Sequence, residues 1–192
     1  MLILASASPR RQELLRNAGI EFVVHPADVP EDILPAELPE ICAERLACSK
    51  ARAVFDQRAP QQSQCSVLGA DTIVVVDKEM LGKPAGEADA ARMLRLLSGR
   101  EHRVITGVCL LSPGPPARMV IRHEVTRVTM SALTDSEISD YVASGEPMDK
   151  AGAYAIQGRA SRWISRIDGC YFNVVGLPIA RVYRMLRESS ES

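Results

Sequence analysis

The chain has little of what usually marks a protein for a familiar task. Its five cysteines (Cys42, Cys48, Cys65, Cys109 and Cys170) form no C-x-x-C pair and are odd in number. That argues against a disulfide framework and for reduced, mostly structural thiols in a cytoplasmic protein. The three histidines, His25, His102 and His123, show no H-x-x-x-H or H-x-H spacing, so a zinc site is not expected, and any metal would be a hard cation on carboxylates. Uninterrupted apolar runs stop at a handful of residues such as Ile73–Val76, far short of the roughly 20 that a bilayer helix needs. The Met1–Leu4 start lacks the basic flank and the apolar length of a signal peptide. An excess of base is missing too: 23 Lys and Arg stand against 24 Asp and Glu, for a net charge of −1. A nucleic-acid partner is therefore not expected. Neither G-x-G-x-x-G nor a Walker A motif occurs. Lysine is scarce, with four against 19 arginines.

What is present is a globular composition. With 192 residues, 46% of them hydrophobic, the chain can bury a sizeable core as one domain over 1–192, or at most two lobes sharing a sheet. Short strands are expected at Leu2–Ala5 and Glu21–Val24. Longer ones follow at 67–77, with a hairpin at Asp77-Lys78-Glu79, and at 102–111 and 119–130. Arg162–Ile167 and Phe172–Val175 also read as strands. Helical spacing marks 12–18, 39–58, 87–97 and 177–186, with Gly19 and Gly99 as stops. The capping box Thr134-Asp135-Ser136-Glu137 opens a helix that Gly145 ends. Pro26 to Pro39 reads as a loop and Gln61–Ser66 as a polar linker. Irregular alternation with at least one long hairpin predicts an α/β fold, a mixed twisted sheet flanked by helices.

Four stretches could carry chemistry. Ser8 is a good N-cap and Pro9 suits the first helical position, so the amides of Arg10 and Arg11 would open toward an anion beside two guanidinium groups. The same stretch also reads as a plain capped helix. Asp71, in Gly69-Ala70-Asp71-Thr72 at the head of the most apolar strand, suits a general base or metal ligand, or an acid satisfied by backbone donors. Lys50, Lys83 and Lys150 sit in helix- or turn-like motifs, where a compact ammonium can meet a phosphate oxygen. In 149–158, glycines allow close backbone approach and Gln157 can both donate and accept. The acids Glu31, Asp32, Glu37, Glu40 and Glu44 are expected to be mostly solvated, and Trp163, Tyr171 and Phe172 to be core.

Taken in order, Ala5-Ser6-Ala7-Ser8-Pro9-Arg10-Arg11, Arg45-Leu46-Ala47 with Lys50-Ala51, Gly69-Ala70-Asp71-Thr72, Lys83-Pro84, 149–158, Ile167-Asp168-Gly169 and 174–178 resemble the Maf family of nucleotide pyrophosphatases, in particular its dTTP/UTP type. The resemblance implies hydrolysis of a nucleoside triphosphate to the monophosphate and pyrophosphate with a divalent cation, Mg²⁺ or Mn²⁺. It implies an elongated, two-lobed molecule of Maf/ITPase-like fold with a cleft between the lobes, and a homodimer. It places Asp71 as proton acceptor, Arg10, Thr72 and Gln157 at base-selecting positions, and Glu31 near the metal. Ser8, Arg11, Lys50 and Lys83 would hold phosphates. The chain departs from the family at Pro30-Glu31, where two adjacent acids are usual and Asp32 follows instead. Two rivals are a methylated-GTP type, which differs at the first arginine of Pro-Arg-Arg, at Asp-Thr and in 150–157, and a regulatory or nucleic-acid-binding module. The net charge and the embedded Asp71 speak against the module.

Overall fold

The computed structural model describes residues 1–59 and 62–190; Gln61, first residue of the expected linker, lies outside them. Among the described residues, seven strands and six α-helices follow one another as β1 (Leu2–Leu4), α1 (Pro9–Asn17), β2 (Phe22–Val24), α2 (Pro39–Asp56), β3 (Ser66–Val76), β4 (Glu79–Leu81), α3 (Glu87–Leu97), β5 (Glu101–Ser112), β6 (Arg118–Met130), α4 (Asp135–Ala143), β7 (Ile164–Asp168), α5 (Tyr171–Val175) and α6 (Ile179–Ser190). The strands form one mixed sheet in the order β2-β1-β3-β5-β6-β7, with β4 paired to β3. β1 runs parallel to β2 and β3, while β3–β4 and β6–β7 are antiparallel. The expected α/β class with a mixed sheet and flanking helices is the one observed. Among the described residues no helix is long and apolar enough to cross a membrane.

The chain divides into two compact units, and β3, β5 and β6 contribute residues to both. The first comprises residues 1–71, 106–124 and the stretch from Gly176. Its core packs Ala47, Ala51 and Val54 of α2 against Ile3, Val67, Cys109 and Leu111 of the strands. Two strand glycines let α2 approach. A Cβ on Gly69 would lie 2.1 Å from the Ala47 carbonyl oxygen, and one on Gly107 2.2 Å from that of Ala43. Any side chain there would push the helix off the sheet.

The second unit comprises residues 72–105 and 125–175. Val76 pairs with Glu79, so β3 turns into β4 through Asp77-Lys78 alone, with Asp77 at φ +52°. Positive φ at the first loop position is what a tight two-residue hairpin demands. α3 and α4 bury Met93, Leu94, Leu97, Ile138 and Tyr141. Both halves of the Thr134–Glu137 capping box form.

Two expectations fail here. Phe172–Val175 is part of helix α5 rather than a strand. Gly169 at φ +125° and Gly176 at φ +126° bracket it, and the side chain of Asn173 is drawn inward by hydrogen bonds to Val104 O at 2.9 Å and Thr126 Oγ1 at 3.0 Å. A short apolar run bounded by glycine does not declare its period, and tertiary partners decide it. Of the aromatic trio only Trp163 is core. Tyr171 and Phe172 stand exposed on that one-turn helix, edge to face with each other.

Candidate active site

The first unit assembles its charged residues around Lys50. α1 starts as the sequence indicates, with Ser8 Oγ accepting from the Arg11 amide and Pro9 in the first turn. Arg11 then turns inward. Its Nε donates to Gly176 O at 2.8 Å, and its Nη1 to Ala70 O at 2.9 Å and Ser6 Oγ at 3.1 Å. The guanidinium expected on phosphate thus ties three chain segments together beside Asp71, and sequence reasoning missed Ser6 as its partner. Burial pulls Arg11 below its ordinary pKa, opposed by the negative charges of Asp71 and Glu31.

Asp71 is buried where β3 passes Lys50 of α2. Lys50 Nζ lies 2.5 Å from Asp71 Oδ1 and 2.6 Å from Glu31 Oε1. The ammonium expected on phosphate holds two carboxylates here. Glu31 reaches it because its loop is pinned to α2: Arg45 forks onto Glu37 at 2.7 and 2.8 Å and donates to the Asp32 carbonyl. That fork drives the Glu37 pKa down to about 2. The acidic stretch is therefore less solvated than expected. Glu31, Glu37 and Glu44 all find cations or imidazole, the last through His123 Nδ1 at 2.7 Å.

Two convergent carboxylates suit a hard cation such as Mg²⁺, which commonly takes one or two protein carboxylates and fills its shell with phosphate oxygens and water. They do not make a complete protein cage. Among the described residues no group of three or more His, Cys, Asp and Glu side chains is placed to hold a metal.

Of the remaining candidates, Lys83, Thr72 and Gln157 belong to the second unit and Arg10 to the first. Lys83 is exposed in the Gly82-Lys83-Pro84 turn, and Gln157 is exposed in the 149–158 segment. One bond brings these segments together, from the Gly152 amide to Gly82 O at 3.0 Å. Gly152, at φ +69°, lies so close to β3 that a Cβ would sit 2.8 Å from Val74 Cγ2. Downstream, Glu146 Oε1 accepts from the Arg159 amide at 3.0 Å and from the Tyr141 hydroxyl at 2.9 Å, which closes the far end of the segment. Thr72, half-buried, directly follows Asp71, and Arg10 is half-buried at the start of α1.

A family model described as Maf-like protein matches residues 1–189. The dTTP/UTP pyrophosphatase of Koribacter versatilis (strain Ellin345) is 58% identical over 188 residues, spanning 98% of this chain and 94% of that protein. The dTTP/UTP pyrophosphatase of Syntrophomonas wolfei subsp. wolfei is 53% identical over 183 residues, spanning 95% and 94%. A solved structure of a nucleoside-triphosphatase / dITP/XTP pyrophosphatase from Mycobacterium abscessus shares 16% identity over 69% of this chain and 74% of that one, at a TM-score of 0.42, a likeness too slight to inform this fold. With the family match running nearly end to end, this chain belongs to the Maf family.

Proposed function

We propose that this protein is a nucleoside triphosphate pyrophosphatase that cleaves dTTP and UTP to the monophosphate and pyrophosphate. The activity follows from relatives that carry that name at 46–58% identity over nearly the whole chain. The observation that carries the assignment of roles is the Lys50 ammonium shared by Asp71 and Glu31. The two carboxylates offset the positive charges of Lys50 and the adjacent Arg11, so these two cations do little to neutralise a triphosphate. The substrate's charge therefore has to be neutralised from outside this cluster. A divalent cation, Mg²⁺ or Mn²⁺, bound with the triphosphate would supply that neutralisation and polarise the phosphoryl group under attack.

This chain's residues do the rest. Lys50 fixes Asp71 through Oδ1, and the second oxygen, Oδ2, accepts the proton of the attacking water. Glu31 shares Lys50 and is the second candidate metal ligand. Arg11 acts by holding the 6–11 and 70–71 backbone in place, while Ser8 and Lys83 serve the phosphates. Arg10, Thr72 and Gln157 select the base. Uracil and thymine offer an acceptor at O4 and a donor at N3, a pattern one primary amide can match with both of its ends. In the same reading the protein works as a cytoplasmic homodimer, a state that sedimentation equilibrium would establish.

The deciding experiment follows pyrophosphate release from dTTP, UTP, CTP and a methylated GTP, with Mg²⁺, with Mn²⁺ and with chelator. Fast release from dTTP and UTP that chelator abolishes is the expected result. Preference for the methylated GTP would move the protein to the other type, and no release from any nucleotide would end the enzymatic reading. Replacing Gln157 with Glu puts an acceptor opposite O4 and should lower kcat/KM for UTP relative to CTP by about 10-fold or more.

A further inference from the structure

Cys48 on α2 and Cys109 on β5 belong to the first unit, and the proposed chemistry uses neither. Cys48 packs against the apolar cluster that contains Cys109, near enough that each thiol perturbs the other's ionisation. The backbone explains why they meet. α2 touches β5 where Ala43 O fills the space a Gly107 side chain would take. From that contact the helix rises about 7.5 Å to Cys48, and the strand advances about 6.7 Å to Cys109 on the face Gly107 occupies. The two cysteines thus lie at similar distances along their elements from that contact.

The two differ in access and in charge. Cys109 is fully buried, whereas Cys48 is half-buried. The Cys109 thiol lies beside Cys48, and Arg52 stands one helical turn further along α2. Together they hold the Cys48 thiol below its ordinary pKa against partial burial and the charge of Glu44. The neighbouring Cys48 thiol and burial push Cys109 up. A thiolate-leaning, accessible cysteine beside a protonated one is the arrangement of an attacking and a resolving thiol. Cys42, one and a half turns earlier on the same helix, is the contrast: it is buried, and burial first pushes its thiol up to about 11.

We propose that Cys48 and Cys109 form a reversible oxidation site, at which a hydroperoxide converts the two thiols into a disulfide joining α2 to β5. The Cys48 thiolate attacks the peroxide O–O bond, forming an S–OH group and releasing the distal oxygen as hydroxide, which takes up the Cys48 proton as water. The Cys109 sulfur then displaces hydroxide from Cys48, and that hydroxide leaves as a second water with the Cys109 proton. Two thiols and one hydrogen peroxide become one disulfide and two waters, and a dithiol reductant reverses the change. The bond draws together elements whose backbones already touch, two residues from Lys50.

The test exposes the reduced full-length protein to hydrogen peroxide, alkylates remaining thiols under denaturing conditions and maps the unreduced digest by mass spectrometry. The expected product, in most of the protein, is the Cys48 peptide joined to the Cys109 peptide, two hydrogens lighter than their sum and released by dithiothreitol. Cys170→Ser should retain the cross-link, while Cys109→Ser should let Cys48 proceed to the sulfinic acid. The proposal is overturned if wild-type Cys48 is over-oxidised while Cys109 stays alkylatable, if Cys48 pairs with another cysteine, or if both thiols remain alkylated.

Discussion

The polar groups that the two units bury differ in kind. The first unit buries Arg11, Lys50 and Asp71, whereas the second buries His102, Asn173, the hydroxyl of Thr126 and the phenols of Tyr141 and Tyr154. Within this neutral set, Thr126 and Asn173 form a structural bolt. Thr126 Oγ1 donates to Cys170 O and accepts from the Cys170 amide, while Asn173 bridges Thr126 to Val104 O. His102 meets the Tyr154 hydroxyl at 2.8 Å. Buried charge costs several kcal/mol per ion even when paired, and apolar substitutes often serve stability as well or better. Neutral pairs carry a much smaller penalty. The difference teaches that stability accounts for the second unit's polar interior, while that of the first unit has to be explained by chemistry.

The sharpest way to break this comparison is Lys50→Met. It leaves Asp71 and Glu31 facing each other without their shared cation, and we expect a loss of about 3–5 kcal/mol in unfolding free energy, measured in urea. A cost no greater than that of a neutral second-unit variant would remove the distinction. Asp71→Asn comes next. Lys50 keeps Glu31, so the fold survives, but turnover at saturating dTTP should fall about 10²-fold or more, equivalent to about 2.7 kcal/mol of barrier. Retention of most of the wild-type kcat would remove Asp71 as the base. In the second unit, Thr126→Val strands the Cys170 and Asn173 groups and should cost about 2 kcal/mol in stability. Its kcat should stay within about twofold, and a larger drop would give the bolt a part in turnover.

The smallest effect is one of pH. Burial lowers the His102 pKa from 6.5 to about 4. Between those values the unfolded chain binds the proton that the folded chain refuses, so stability is present above pH 6.5 and is lost as pH falls toward 4. From pH 7 to 5.5 the loss should be about 1 kcal/mol. Urea midpoints for wild type and His102→Leu, compared at the two pH values, isolate this contribution. Parallel slopes would mean that His102 titrates normally.

Local signals in the sequence were legible where chemistry forces conformation. Gly19, Gly99 and Gly145 all take positive φ at the helix ends where stops were expected, and the Asp77-Lys78 turn and both halves of the Thr134 box formed. The partners were not legible, because they lie far apart along the chain. Arg11 meets a carbonyl 165 positions away, and Glu31 reaches Lys50 only because Arg45 pins the intervening loop. Strand-like composition misled at Phe172–Val175, where bracketing glycines and a buried Asn173 overrode propensity. One signal went unread: Gly69 and Gly107, lone glycines within apolar strands, are the sequence mark of a close backbone approach.

That approach bears on how finely Lys50 can be placed. Most helices rest on a sheet through side chains, and their height drifts as rotamers and packing change. α2 at Ala43 and Ala47 instead rests peptide on peptide, so its height is set by bond lengths and van der Waals radii. Core substitutions elsewhere in this unit can soften the surroundings of Lys50 without altering that gauge, whereas a single methyl group on either strand glycine would reset it.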